Sequence, residues 1–186
     1  MKDFVSSKNR RPPSQGGASL IEVLVAILIL SFGMLSLGSM LAYGVQLPKL
    51  AGYRAMAATL AASHIERMRS NIVGFKNGNY VEDLSYDGTI DETDLSDCAY
   101  PDCTTASLAT MDTAYTNQAL RTELPSGGKR VERDLAAGAT DGNLWIIWNE
   151  PTTFASLNPT NSDSCPTQVA VYTDPKPRCL YVRFKL

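Results

Sequence analysis

The sequence predicts an α+β fold in which a long N-terminal helix, transmembrane in its first part, precedes a small head with an antiparallel sheet. Three observations support this prediction. The 26 residues from Val23 to Pro48 carry no charge, and as a helix they would extend roughly 39 Å, enough to span a bilayer. Helical spacing of apolar residues then continues to about residue 71. Residues 72–186 contain turn signals and short β-rich runs, which indicate a compact domain.

A basic segment precedes the apolar run. Residues 1–17 carry a net charge of +3, whereas the rest of the chain carries −5. The positive-inside rule therefore keeps residues 1–17 in the cytoplasm and exports the head. A secretory signal is cut after its apolar core, but here the small residues Gly17 and Ala18 come before it. Cleavage between them would leave the apolar helix on the mature protein, whereas an uncut signal-anchor is the alternative.

One carboxylate stands at the head of the apolar run. Glu22 lies four residues after Ala18, and the next charged side chain is that of Lys49. A charge near the centre of a membrane helix costs roughly 2.5–3.5 kcal/mol on insertion scales, so Glu22 needs compensation. Cleavage would give Ala18 a positive amino group, which favours a nearby anion. The alternative is that Glu22 only occupies the helix N-terminus in the headgroup region.

The second part of the helix carries a stripe that predicts packing against the head. Its members recur at steps of three and four residues, namely Leu50, Tyr53, Ala57, Leu60, His64 and Met68. We interpret His64 as a packed residue rather than a ligand. Because Pro48 lacks an N–H group and crowds the preceding turn, we expect a kink or local melting near residues 44–52. The predicted helix therefore covers residues 18–71 with one soft point.

The head contains one predicted helix and four predicted strands. Residues 104–124 predict the helix, with Leu108, Met111, Tyr115 and Leu120 roughly on one side. The strand segments are residues 129–133, 144–148, 168–173 and 179–184, with a turn at 174–177 before the last strand. We expect the first strand to be exposed and the second to be covered on both faces. Its two tryptophans, Trp145 and Trp148, are interpreted as core residues rather than as a ligand platform.

An even number of cysteines in an exported region indicates two disulfide bonds. The four residues are Cys98, Cys103, Cys165 and Cys179, and three pairings are possible. We favour Cys98–Cys103 and Cys165–Cys179, because the members of each pair are close in sequence. The second bond would close a loop of about 15 residues and contribute roughly 3 kcal/mol on the loop-entropy model. A zinc site is disfavoured, because no CxxC motif is present and His64 is far from the cysteines.

Composition argues against other functions. The acidic body gives no support for nucleic-acid binding, which requires a basic face. The sequence has no nucleophile elbow, phosphate-binding loop or dinucleotide fingerprint, so we expect no catalytic residue and no cofactor. An acidic stretch invites a calcium site but lacks the spacing of an EF-hand loop, so we expect no metal; it contains Asp83, Asp87, Asp91, Glu92, Asp94 and Asp97.

The segment Gly17–Ala26, with its basic leader and apolar helix, resembles the cleavage and methylation motif of type IV prepilins and type II secretion pseudopilins. The resemblance implies a pilin fold and cleavage by prepilin peptidase between Gly17 and Ala18, with N-methylation of Ala18. It also implies that Glu22 pairs with the amine of a neighbouring subunit during assembly. Ala18 departs from the family, which usually has phenylalanine at this position.

A looser resemblance, to minor pilins of the PilV type, covers most of the chain. It rests on Glu66–Asn71, on Cys103 with the following helix-like run, on Leu124–Gly128 and on the tryptophan-containing strand. It implies a minor pilin of the inner membrane and then of the cell-surface pilus (fimbrium), with roles in twitching motility and cell adhesion. Its partners would be other minor pilins, the major pilin and prepilin peptidase. Alternatives are a minor pseudopilin of type II secretion, a tip adhesin and a signal-anchored periplasmic domain.

Overall fold

The computed structural model of the chain describes residues 17, 19–88, 98–99, 101–135, 139–150, 163–173 and 176–186. The helices are α1 (Leu20–Ser70), α2 (Ile72–Lys76) and α3 (Thr105–Glu123), with a 3₁₀ helix at Thr167–Val171. The strands are β1 (Gly128–Arg133), β2 (Asp141–Trp148) and β3 (Arg178–Lys185). They form one antiparallel sheet in the order β1-β2-β3. The predicted α+β class is confirmed, and the architecture is consistent with the pilin fold.

Helix α1 runs through Pro48 without interruption, so the predicted local melting near residues 44–52 is wrong. A proline removes one backbone hydrogen bond, but the turns on both sides of it remain helical. The chain divides between Gln46 and Leu47 into two compact units. Every residue from Ser19 to Val45 is exposed, whereas the second part of the helix has a buried face.

That buried face confirms the predicted stripe. Ala57, Ala61, His64 and Met68 are all buried, and Tyr53 and Leu60 of the predicted set pack against the same core. Helix α2 begins immediately after α1. Asn71 is its N-terminal cap, because the Asn71 side chain accepts a hydrogen bond from the Gly74 amide.

Helix α3 exists where the sequence predicted it, but its buried side differs. The Thr104 hydroxyl accepts a hydrogen bond from the Ser107 amide and begins the helix. Of the four predicted apolar residues only Leu120 is fully buried, and Tyr115 is 39% exposed. The buried positions are mostly small or polar: Ala109, Asp112, Thr116, Asn117, Leu120 and Arg121. Polar residues can face inward here because residues distant in sequence supply their hydrogen-bond partners.

The strand at residues 129–133 is present as part of β1, but it is not exposed. Lys129 is completely buried and Arg130 is only 8% exposed. The cause is the segment at residues 82–85, which lies along β1. Glu82 exchanges two backbone hydrogen bonds with Val131, at 3.1 and 2.9 Å, and the Ser85 amide donates to the Lys129 carbonyl at 2.9 Å.

The strand predicted at residues 168–173 is wrong, because Thr167–Val171 is a 3₁₀ helix. Pro166 precedes the helix and accepts the Val169 amide, and Val169 accepts the Tyr172 amide, both at 3.1 Å. These short-range bonds replace a strand ladder. Strand β3 pairs with β2 instead, and residues 174–175 of the predicted turn lie outside the described part of the chain.

The two tryptophans of β2 have different environments. Trp148 is 2% exposed and lies in the main core, as predicted. Trp145 points to the other face of the sheet, where it is partly buried and stacks on its cross-strand neighbour Tyr181 at 5.2 Å between ring centroids. Such aromatic cross-strand pairs stabilise a sheet, so the core prediction holds fully only for Trp148.

Candidate functional site

The processing motif lies immediately before α1. Gly17 is exposed and outside any regular element, and an added Cβ atom there would meet nothing within 4 Å. The Ser19 carbonyl accepts hydrogen bonds from the amides of Glu22 and Val23, at 2.9 and 3.2 Å. These bonds fix the start of the helix after Gly17. Ala18 lies outside the described residues.

Glu22 occupies the first turn of α1 and is exposed. A carboxylate in this position is favoured by the positive end of the helix dipole, by roughly 0.3–1 kcal/mol. Within the described residues its carboxylate has no hydrogen-bond or ion-pair partner. The structure of one chain therefore leaves this acid accessible to another molecule.

The surface around Glu22 is apolar over many turns. Leucine, isoleucine, valine, methionine and phenylalanine side chains between Leu20 and Leu47 are 47–78% exposed. A continuous apolar surface of this extent is foreign to a soluble monomer and indicates contact with lipid or protein. Helix α1 is long and apolar enough to cross a membrane.

Two disulfide bonds join Cys98 to Cys103 and Cys165 to Cys179, with Cα–Cα distances of 5.2 and 5.3 Å. This is the pairing that the sequence analysis favours. The second bond connects the segment before the 3₁₀ helix to β3, where the neighbouring residue Arg178 is buried. Its Nε atom lies 2.9 Å from an Asp163 carboxylate oxygen and 3.4 Å from a Glu150 oxygen.

The second candidate site is a group of side chains between the second part of α1 and α3, all buried except the partly exposed Arg67, which we call the α1–α3 polar cluster. Its members are His64, Arg67, Asn71, Tyr80, Asp112 and Thr116. They come from α1, α3 and the segments that follow α1. The cluster was missed by the sequence analysis, apart from the correct prediction that His64 is packed.

Asp112 is the centre of this cluster. Its two carboxylate oxygens accept hydrogen bonds from Arg67 Nη1 at 3.1 Å and from the Tyr80 hydroxyl at 2.6 Å. Burial raises the pKa of Tyr80, and its hydrogen bond to Asp112 raises it further. The tyrosine therefore remains a neutral donor, and the Asp112 charge is compensated by Arg67.

Asn71 extends the cluster to the beginning of α3. Its Nδ2 atom donates to the Thr105 carbonyl at 2.8 Å and to the Tyr80 hydroxyl at 3.2 Å. Because the same side chain also begins α2, one residue connects the end of α1 to both following helices.

A second buried charge lies beside the cluster, on β1. The Lys129 ammonium group contacts the Glu82 carboxylate and donates to Asn117 Oδ1 at 2.8 Å. Asn117 Nδ2 in turn donates to Glu82 Oε1 at 2.9 Å. Burial lowers the pKa of Lys129, and the charge of Glu82 opposes that effect. The side chains of Lys129, Glu82 and Asn117 thus supply hydrogen-bond and ion-pair partners to one another inside the head.

No group of three or more histidine, cysteine or acidic residues in the described ranges could hold a metal ion. Of the acidic stretch, Asp83 pairs with Arg130, and Asp87 pairs with Arg121 at 2.7 Å. The remaining members, Asp91, Glu92, Asp94 and Asp97, lie outside the described residues. The first two residues of the stretch thus serve as ion-pair partners within the head.

Comparison with known proteins agrees with the first candidate site. Residues 12–38 match the family model of the prokaryotic N-terminal methylation motif. No curated protein matches the chain, and no solved structure matches it either. The match covers the end of the leader with Gly17, and the first part of α1 with Glu22. The match supports a leader of the type IV pilin and pseudopilin kind, which prepilin peptidase processes.

Proposed function

We propose that this chain is a minor type IV pilin of the PilV type that primes or supports pilus assembly. The observation that carries the proposal is the methylation motif at residues 12–38, which includes the beginning of α1, a helix with an exposed apolar first part. In this proposal prepilin peptidase cuts between Gly17 and Ala18 and then methylates the Ala18 amine. The head remains outside the membrane and joins other minor pilins and the major pilin.

The geometry around Gly17 supports cleavage at that position. A peptidase binds an extended backbone, and small residues leave that backbone accessible. Gly17 is exposed and non-helical, and the helix does not begin until Leu20. Cleavage after Gly17 would therefore break no hydrogen bond of α1 and would leave the anchor helix intact.

We further propose that Glu22 pairs with the Ala18 amine of a neighbouring subunit. The support is the accessible position of Glu22 in the first turn, without a partner in the described part of its own chain. In an apolar helix bundle, loss of one member of an ion pair strands the other charge, at a cost of about 3–5 kcal/mol. Pairing would thus fix the axial position of one subunit against the next.

Mass spectrometry of the protein from membranes and from sheared filaments tests the processing step. We expect a mature chain that begins at Ala18, with one added methyl group on its amine. Gly17→Val should block cleavage without disturbing the fold, because a side chain at Gly17 meets nothing within 4 Å. An intact Met1 in assembled filaments would refute the proposed processing.

The pairing role is tested with Glu22→Ala and with Ser31→Ala as the matched control on the same exposed helix. We expect normal processing of both variants and a drop of at least tenfold in filament incorporation for Glu22→Ala alone, in line with a lost ion pair. Immunoblots of sheared filaments measure incorporation. Equal incorporation of the Glu22→Ala variant and the wild type would contradict the pairing role.

The second candidate is a minor pseudopilin of a type II secretion system, because the same motif serves both systems. Deletion of the encoding gene distinguishes them. Loss of surface pili with normal protein secretion supports the minor pilin, whereas loss of secretion with normal pili supports the pseudopilin. A tip adhesin would instead retain pili and lose binding of cells to their target surface.

A further inference from the structure

His64, the only histidine of the chain, is completely buried between α1 and α3. Its Nδ1 atom lies 2.9 Å from the Thr116 hydroxyl oxygen, and its ring lies edge-on to Tyr80 at 6.0 Å between centroids. Its other ring nitrogen, Nε2, is buried and has no hydrogen-bond partner within the described residues. The ring is therefore held at one nitrogen only.

The hydrogen bonds around Thr116 determine which nitrogen carries the proton. The Thr116 hydroxyl donates its hydrogen to the Asp112 carbonyl at 2.7 Å, so towards His64 it can act only as an acceptor. His64 Nδ1 must therefore be the protonated nitrogen of the neutral ring. The unpartnered Nε2 atom carries the lone pair, which is the position that an additional proton would occupy.

The charges near the ring oppose such a proton. Lys129 on β1 and Arg67 on α1 are both cationic and both act on His64. The carboxylates of the region are already engaged, since Asp112 on α3 accepts from Arg67 and Tyr80 and Glu82 contacts Lys129. Burial lowers the pKa of His64 well below its usual value, and the two cations lower it further.

We propose that His64 is an acid-sensitive lock between α1 and α3. While the ring is neutral, it fills the core and donates to Thr116. Protonation at Nε2 would place a second N–H group and a positive charge in a closed space beside two cations. Because the described residues offer no acceptor to Nε2, the charged ring reaches water only if α3 separates from α1.

The sign of the pH dependence follows from the lowered pKa. Below the usual pKa of His64, 6.5, the unfolded chain binds a proton at this residue and the folded chain does not. The folded state therefore loses stability as the pH falls from about 6.5 towards the folded-state pKa. Over this window the unfolding equilibrium constant should rise by up to about tenfold per pH unit because of this one residue.

Nuclear magnetic resonance of the full chain in detergent micelles tests the lock directly, since selective histidine labelling gives one set of ring signals. We expect a proton on Nδ1, a bare Nε2 nitrogen, and no titration as the pH falls from 7.5 through 6.5. Ring protonation should coincide with loss of hydrogen-exchange protection in α3. A proton on Nε2, or titration near pH 6.5 with α3 still protected, would overturn the proposal.

Urea unfolding at several pH values supplies the matched comparison. His64→Gln retains an amide donor for Thr116 but cannot titrate, so its unfolding constant should lack the tenfold-per-unit component between pH 6.5 and 5. Glu66→Gln, two residues away on the exposed face of the same helix, should retain it. Equal pH slopes for the wild type and His64→Gln would overturn the proposal, and should that variant not fold, the ring signals of the wild type decide the question alone.

Discussion

The two parts of α1 form one continuous helix but differ in burial, since the first part is exposed and the second part has a buried face. From Ser19 to Val45 every residue is exposed, although the segment is strongly apolar. From Leu47 onwards the helix buries one face against residues of its own chain, including Ala57, Ala61 and Met68. The exposed apolar side chains of the first part thus require contact with lipid or with other subunits. The apolar side chains of the second part pack against the head of the same chain.

The charged residues of the molecule show the same contrast. Glu22 has no hydrogen-bond or ion-pair partner in the described part of its own chain, and we propose that the amine of a neighbouring subunit compensates its charge. Lys129 is as deeply buried as any apolar core residue, and Glu82 and Asn117 satisfy it. The head therefore compensates its own buried charge, whereas the described residues leave the charge in the first part of α1 without a partner.

We expect the largest effect on stability from a substitution in the buried ion pair of Glu82 and Lys129. Glu82→Gln keeps the backbone pairing with Val131 but removes the negative charge, leaving the Lys129 ammonium group buried without compensation. We expect a loss of about 3–5 kcal/mol in the free energy of unfolding, measured by urea unfolding in detergent. Lys129→Met is the control and should cost far less, because it removes the buried charge itself. A near-neutral result for Glu82→Gln would contradict the assignment of Lys129 as a buried cation.

A smaller effect on the free energy of unfolding is expected when equivalent substitutions are made in the two parts of α1. Met68 is fully buried and Leu30 is 58% exposed. Met68→Ala should lower the free energy of unfolding of the head by about 2–5 kcal/mol, because it leaves a cavity. Leu30→Ala should change it by less than about 0.5 kcal/mol, as is usual for exposed sites. The division at Gln46 would be refuted if both variants lowered the urea midpoint equally.

The smallest effect concerns an ion pair on the outside of the same helix. Glu66 and Arg69 contact each other, but both side chains are more than half exposed. Glu66→Gln should change the free energy of unfolding by no more than about 0.5 kcal/mol, since exposed pairs in a helix contribute little. A loss comparable to that of Glu82→Gln in the same urea titration would show that burial is not what separates the two pairs.

Prediction from sequence succeeded where short-range pattern decides structure. The apolar run, the stripe containing Ala57 and Met68, the helix at Thr105–Glu123 and the strand around Ile146 all follow from the spacing of side chains along one element. The predicted strand at residues 168–173 failed although Val169 and Val171 favour strands. The residues after Pro166 instead form local 3₁₀ hydrogen bonds, and β3 pairs with β2.

The candidate sites divide in the same way. The motif of Gly17 and Glu22 is a contiguous pattern, so it was found from the sequence. Asp112 and Lys129 were missed because their partners, Arg67 and Glu82, lie 45 and 47 positions away in the chain. The one available signal was the scarcity of large apolar residues on α3, which leaves polar side chains to fill its buried side.

The amino-acid order by itself determined that the chain has a basic N-terminal segment, a small-residue junction at Gly17, an apolar helix with one acid, and a cysteine-containing head. These properties depend on composition and on neighbours within a few turns. Only the tertiary structure decided which polar groups are buried and which nitrogen of His64 carries its proton. Burial and hydrogen-bond partnership depend on segments that are distant in sequence, and their energies are set by contacts that no local pattern encodes.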